Sequence, residues 1–161
     1  MIRAITAIAA AALLMGSLSD GARGPAKDLA RIYVYIQTDT PARSWSPIYC
    51  DRALVAKLKR GRFFALDVAP GRHMLSGQQD VPVLVDARAG EESFVSLGWR
   101  SGDTGGALLP AWHVVDPHAA EREMKYLKYV DADEIISSSV SKKDPRPPPG
   151  LRRRNIPAGD E

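Results

Sequence analysis

Between Arg31 and Gln37 the chain reads RIYVYIQ, so Ile32, Val34 and Ile36 alternate with Tyr33, Tyr35 and Gln37. A period of two made of branched and aromatic residues predicts a half-buried strand. The signature recurs in short pieces: IYC and ALVAKL around Asp51 and Arg52, then FFALDV, HMLS, VPVLVDA, SFVSLGW and ALLPAWHVVD. TDTPARSWSP, Pro70-Gly71 and Ala89-Gly90 supply turns between them,. Short strands at close, regular spacing predict an all-β fold, an antiparallel β-sandwich of about seven to eight strands.

The period changes after Val115. Asp116 followed by Pro117 is a helix start, an acceptor at the cap and proline in the first turn,. Ala120, Met124, Leu127 and Val130 then recur at helical spacing, which predicts one C-terminal helix on the edge or end of the sandwich,. From Ser137 the text SSSVSKKDPRPPPGLRRRNIPAGDE holds almost nothing apolar, and residues 137–161 are read as a disordered, basic, proline-rich tail with polyproline at 147–149,.

The stretch ALVAKLKRGRFFALDVAPGRHML, residues 53–75, contains the densest mixture of basic and apolar positions. If Gly61 is the left-handed residue of a loop Lys59-Arg60-Gly61, a hairpin sets Leu58 opposite Arg62, Ala56 opposite Phe64 and Leu54 opposite Leu66. That register turns Leu54, Ala56, Leu58, Phe64, Leu66 and Val68 inward, and a slip by one residue would expose them. Lys59 and Arg60 then occupy the tip with Arg62 beside it. Lys57 lies outside with Asp67, and Arg72 belongs to the other end. His73 would sit opposite Val68 and point inward.

With 161 residues, 45% hydrophobic and 25% charged, the chain has the composition of one domain with a real core,. Its net charge of +3 is local. Beyond Ser141, Lys142, Lys143, Arg146, Arg152, Arg153 and Arg154 face only Asp144, Asp160 and Glu161, and this excess equals the whole net charge. The globular part is therefore neutral, which argues against a steering field for nucleic acid. The opening MIRAITAIAAAALLMGSLSD has a basic start, an apolar run and then small residues, the layout of a secretory signal peptide over 1–19 with cleavage after Ser19,. Residues 20–29 form a linker and 30–136 the domain. The expected location is periplasmic or secreted. Cys50 is the sole cysteine, so no internal disulfide forms, and a buried thiol is expected,.

Tyr33 and Tyr35 lie in an opening strand, Asp51-Arg52 before a short strand, and Gly61 before Phe63 and Phe64; Pro70-Gly71 has His73 two residues on, and Ala89-Gly90 precedes Phe94. In these features, over ARIYVY, VAKLKRGRFFALDVAPGRHML and VDARAGEESFVSL, the chain resembles a bacterial family of small exported proteins, domain of unknown function 2846, some of whose members are lipoproteins. The likeness runs over residues 30–97 and more loosely to Asp116. Asp51-Arg52 replaces what is usually an Asp-Gly turn in the family, and the lipid-anchoring cysteine that some members carry is missing. The resemblance implies a sandwich of immunoglobulin-like or transthyretin-like form and no activity.

Catalytic motifs are absent from the text. His73, His113 and His118 lack the paired spacing of a zinc site,; there is no G-x-S-x-G, and Cys50 has no evident partner. Glu91 and Glu92 are adjacent and cannot face one another across a substrate. SGDTGG lacks the strand-to-helix setting of a phosphate loop. No catalytic, cofactor or metal residue is therefore assigned. The expectation is a non-catalytic exported binding or scaffolding module of the bacterial cell envelope. Candidate interaction residues are Lys59, Arg60, Arg152, Arg153 and Arg154. The last three would reach an envelope protein or an anionic membrane surface, at about 1 kcal/mol per basic residue near such a surface. Two other readings stay open: a hydrolase-type enzyme with a site of sequence-distant residues around His73 or His113, and a homo-oligomeric assembly subunit.

Overall fold

The computed structural model describes residues 25–40, 45–78, 80–101 and 108–146. The leader expected at 1–19, the glycine-rich sequence at 102–107, and Arg152, Arg153 and Arg154 lie outside the described residues. Among the described residues there are nine strands: β1 (Ala30–Ile36), β2 (Ser46–Cys50), β3 (Ala53–Leu58), β4 (Arg62–Val68), β5 (Gly71–Ser76), β6 (Val83–Ala87), β7 (Glu92–Ser101), β8 (Leu108–Val115) and β9 (Lys128–Tyr129). One helix, α1 (Pro117–Met124), and one 3-10 turn (Ala132–Glu134) complete them.

The strands form two sheets, one ordered β8-β7-β1-β4-β9 and one ordered β3-β2-β5-β6. The fold is thus mainly β and sandwich-like. The expectation of an antiparallel sandwich needs correction in one respect: the five-stranded sheet is mixed, because β1 runs parallel to β7 and β4 parallel to β9. Between the sheets lies the main core, where Ile32, Val34, Ile36, Phe64, Leu66 and Val95 meet Ile48, Ala56, Leu58, Leu75 and Val85. β1 is buried along its whole length. Its odd residues Tyr33 and Tyr35 join Phe63, Ala65 and Phe94 in a second cluster on the outer face, closed by Ala120, Met124 and Leu127.

The hairpin expected at Lys59-Arg60-Gly61 does not exist. β3 pairs with β2, and β4 pairs with β1 and β9, so the loop crosses from one sheet to the other. Ala56, Leu58, Phe64 and Leu66 still face the main core as expected. Strands stacked across a sandwich and strands paired side by side both turn alternate residues inward, so a period of two does not distinguish them. Gly61 does have a left-handed φ of +72°, and a Cβ there would stand 3.0 Å from Thr38 Cγ2. The Pro70-Gly71 turn is a second crossing. It leads into β5, where His73 is paired with Val85 instead of lying opposite Val68.

Asp51 and Arg52 make a tight turn between β2 and β3 with φ of 49° and 71°. Two positive values in succession are the type I′ geometry that glycine and asparagine favour. α1 is capped as expected, the Asp116 carboxylate accepting from the N–H groups of His118 and Ala119. It ends at Met124 and lies over the outer face of the five-stranded sheet instead of an edge, and Val130 reaches the main core from beyond it.

Residues 137–146, read from the sequence as the start of a disordered tail, are packed. Val140 is buried and bridges Leu66, and the Ser141 N–H donates to the Ala65 carbonyl at 2.9 Å. Arg146 donates to the carbonyls of Met124 at 2.6 Å and Leu127 at 3.0 Å, and its guanidinium lies 3.8 Å from the Phe63 ring centre. Val140 supplies the apolar anchor, and backbone pairing and the Arg146 guanidinium supply the rest, neither of which marks the stretch as ordered in composition,.

Candidate functional site

Two places in the fold gather chemistry. The first is the seam where the edge strands β6 and β8 of the two sheets approach. Along β7 and β8 the pairs Val95 and Val114, Leu97 and Trp112, and Trp99 and Pro110 share the face that looks toward the other sheet,. Val95, Leu97 and Trp112 are buried, but Trp99 is 44% and Val114 54% exposed on that inward face. The second sheet does not cover them. Together with residues 81–84 they line an open groove of about 610 Å³; His113, between Trp112 and Val114, lies on the opposite face of the sheet,.

The backbone of the seam is equally informative. Val81 lies parallel to Ala111: its N–H donates to the Pro110 carbonyl at 3.1 Å, and its carbonyl accepts from the Trp112 N–H at 3.1 Å. The chain then leaves β8 to enter β6. Among the described residues no other strand pairs with this edge of β8. Leu84, on the solvent side of β6, is 58% exposed at the rim. Beside Val81, the Trp112 indole N–H donates to the Asp80 carboxylate at 3.2 Å. Gly98 sets the imidazole of His113: a Cβ on Gly98 would lie 2.7 Å from His113 Cε1, so the ring rests on the bare glycine.

The second place joins the β2–β3 turn to β5. His73 Nδ1 lies 2.7 Å from Asp51 Oδ2, and its Nε2 lies 2.8 Å from the Ala69 carbonyl. Asp51 Oδ1 accepts from the Met74 N–H at 2.9 Å, and Cys50 Sγ stands 3.8 Å from Asp51 Oδ2. Burial pulls the basicity of His73 down, but Asp51 and the Ala69 carbonyl outweigh it and the net shift is upward. Asp51 is held below the ordinary carboxyl range, chiefly by the Met74 N–H, against an opposing effect of burial. Burial, with the adjacent carboxylate, pushes the Cys50 thiol up to about 12. A protonated thiol next to an acceptor is not a poised nucleophile.

Under α1, Tyr35 and Gln37 tie the helix down, and Tyr33 ties β1 to β7. The Tyr35 hydroxyl and the Gln37 amide each donate to Glu123 Oε2 at 2.6 Å, and the Tyr33 hydroxyl donates to Glu92 Oε1 at 3.1 Å. Burial first, then these carboxylates, raises both phenols. Tyr35 thereby fastens the helix and Tyr33 fastens β7, and neither hydroxyl is left free.

Of the residues singled out in the sequence, Lys59 is engaged in the fold. Its ammonium stands 2.9 Å from Oε1 of Glu134, a carboxylate whose side chain is 1% exposed, and 3.4 Å from the Trp45 ring centre. Arg60 beside it is exposed. Arg62 is held by Asp131, and Arg72 by Asp86. The basic positions therefore do not converge. Cys50 is buried, as expected. The seam was hidden in the sequence because Val114 and Trp99 obey the same alternation as their buried neighbours, and only the position of the other sheet exposes them. The Cys50, Asp51 and His73 group was hidden because β2–β5 pairing, not spacing along the chain, assembles it.

Comparison of the chain with protein-family models, with curated proteins and with solved structures finds no match. Among the described residues no helix is long and apolar enough to cross a membrane.

Proposed function

We propose that the domain is a non-catalytic binding module of the bacterial cell envelope, and that it takes an extended apolar segment of a partner protein into the β6–β8 seam. The observation that carries this reading is Val81. One residue of the chain's own backbone is already seated in extended form on the edge of β8, and the inward face beyond it is left open at Trp99 and Val114. A strand added there would continue that pairing with main-chain bonds while alternate side chains fill the groove. The protonated thiol of Cys50 and the engagement of both His73 nitrogens support a non-catalytic reading over the hydrolase alternative. Export rests on the leader at 1–19. The two-sheet arrangement is read as a sandwich of the immunoglobulin-like or transthyretin-like kind that the family resemblance implies. The basic tail with Arg152, Arg153 and Arg154 serves in this reading as a contact to anionic lipid.

Short peptides of alternating valine and threonine, titrated by calorimetry with hydrogen exchange followed at the Val114 amide, test the seam. Binding with protection of that amide is expected in the parent and absent in Val114→Asp, and a proline-substituted peptide should not bind. No saturable binding, or binding that Val114→Asp leaves intact, refutes the proposal. A concentration-dependent dimer abolished by Val114→Asp would replace the partner with a second copy of the chain.

A further inference from the structure

We infer that Cys50, Asp51 and His73 form a binding site for one divalent transition-metal ion of the zinc class, with a thiolate, a carboxylate and an imidazole as ligands and a fourth position open to solvent. This site shares no residue with the seam; an ion there would displace the Cys50 proton and part His73 Nδ1 from Asp51, so the non-catalytic reading would then rest on the seam alone,. One ligand atom from each residue, Sγ, a carboxylate oxygen and an imidazole nitrogen, falls within 4.8 Å of the others. A soft sulfur, a borderline nitrogen and a hard oxygen together are the donor set that suits zinc and its neighbours better than magnesium or calcium.

The groups behind the ligands carry the inference further. A metal-bound histidine ordinarily gives its other N–H to a fixed acceptor, which settles which nitrogen faces the ion. Here the Ala69 carbonyl lies 2.8 Å from Nε2, which leaves Nδ1 facing the carboxylate and the thiol. Asp51 is oriented in the same way, since the Met74 N–H occupies Oδ1 at 2.9 Å and Oδ2 is the oxygen turned to His73 and Cys50.

The spacing is close to what a tetrahedral ion requires. Bonds of about 2.0 Å to nitrogen and oxygen and about 2.3 Å to sulfur give ligand separations of roughly 3.3 Å for N···O and roughly 3.5 Å for S···O. The structure has 2.7 Å and 3.8 Å. Both differences are under an ångström, and the imidazole and carboxylate have only to part. Access comes from the turn side: the Asp51 side chain is 52% exposed and that of His73 15%, while Cys50 closes the site from the core.

The test uses the full chain, stripped with a chelator and titrated with cobalt(II) as a spectroscopic substitute for zinc. One equivalent of cobalt should produce the near-ultraviolet band of a thiolate-to-cobalt transition, and zinc should bleach it. Cys50→Ser should lose that band, and His73→Ala should weaken binding by about 100-fold or more. Asp51→Asn keeps the residue type that a type I′ turn favours, so it folds, and it should weaken binding by about 10-fold or more. Zinc should also raise the melting temperature of the parent, and that of Asp51→Asn by less at the same zinc concentration. A parent that shows no thiolate band and no zinc-dependent melting shift holds an ion pair only, and the proposal is overturned. Equal cobalt affinity in Cys50→Ser would overturn it as well, by assigning the ion to surface carboxylates or the other histidines.

Discussion

Arg146 is the residue whose removal best distinguishes a packed C-terminal strap from a loose tail. Its guanidinium caps two carbonyls at the end of α1, those of Met124 at 2.6 Å and Leu127 at 3.0 Å, and lies 3.8 Å from the centre of the Phe63 ring. It also pairs with Asp144 at 2.8 Å, with 28% of its own side chain exposed. Hydrogen bonds from a charged donor contribute about 1.5–3 kcal/mol each when fully sheltered, and partial exposure brings each here to roughly 1 kcal/mol. The ring contact adds about 0.5–1 kcal/mol, and the exposed pair with Asp144 adds little. Arg146→Ala should therefore cost about 2–3 kcal/mol and lower the melting temperature by roughly 8–12 °C for a domain of this size. Arg146→Lys retains a charge near the helix end but loses the fork, and should cost about half as much. Urea denaturation of the full chain, followed by tryptophan emission and circular dichroism, measures both. The amide of Ser141, bonded to the Ala65 carbonyl, should exchange slowly in the parent and quickly in Arg146→Ala. A cost below about 0.5 kcal/mol, within the range of an ordinary surface change, would refute the reasoning.

Lys59 offsets the buried carboxylate of Glu134, whose Oε1 has no aligned hydrogen bond among the described residues. Lys59→Met should cost about 2 kcal/mol in chemical denaturation, discounted from the cost of breaking a fully buried pair, whereas Arg60→Ala should stay within about 0.5 kcal/mol. Glu92 has its carboxyl pushed upward by burial first, with Asp67 and Glu121 adding repulsion and the Tyr33 hydrogen bond and Arg31 opposing. A native state that holds this proton more tightly than the unfolded chain is most stable with the group protonated and loses that stability as pH rises past the ordinary value of 4.5,. Glu92→Gln should therefore raise the urea midpoint at neutral pH and leave it unchanged at pH well below that value; an equal gain at both would contradict the charge-based account. Gly61→Ala forces a side chain into a left-handed φ and against Thr38, and a loss of at least about 1 kcal/mol is expected from the same measurement. Gly98→Ala should displace the His113 ring, visible as a shift of its imidazole resonances with little loss of stability, because His113 is an exposed residue on the face of the sheet away from the seam.

Much of the fold is legible in local text. Alternation in RIYVYIQ and FFALDV marks strands that exist, Asp116-Pro117 marks the capped start of a helix, and the glycine in KRGRFF marks a left-handed residue. These are decisions taken within a few residues, where sterics and side-chain polarity act directly. They also determine that Ala56, Leu58, Phe64 and Leu66 turn toward a common interior, whatever strand each one pairs with.

Only the tertiary structure decided which strands are neighbours. A two-residue period names a face and not a partner, so β3 and β4 could be read as a hairpin although they belong to opposite sheets. The parallel contacts of β1 with β7 and β4 with β9 join segments far apart in the chain. Their stability comes from backbone bonds that any sequence can make. The strap at 137–146 follows the same logic, and so do both candidate sites. Cys50, Asp51 and His73 meet because β2 pairs with β5, and Trp99 and Val114 are open because the second sheet ends short of them. Composition and spacing along the chain specify what each residue prefers, and the packing of two sheets determines what it touches.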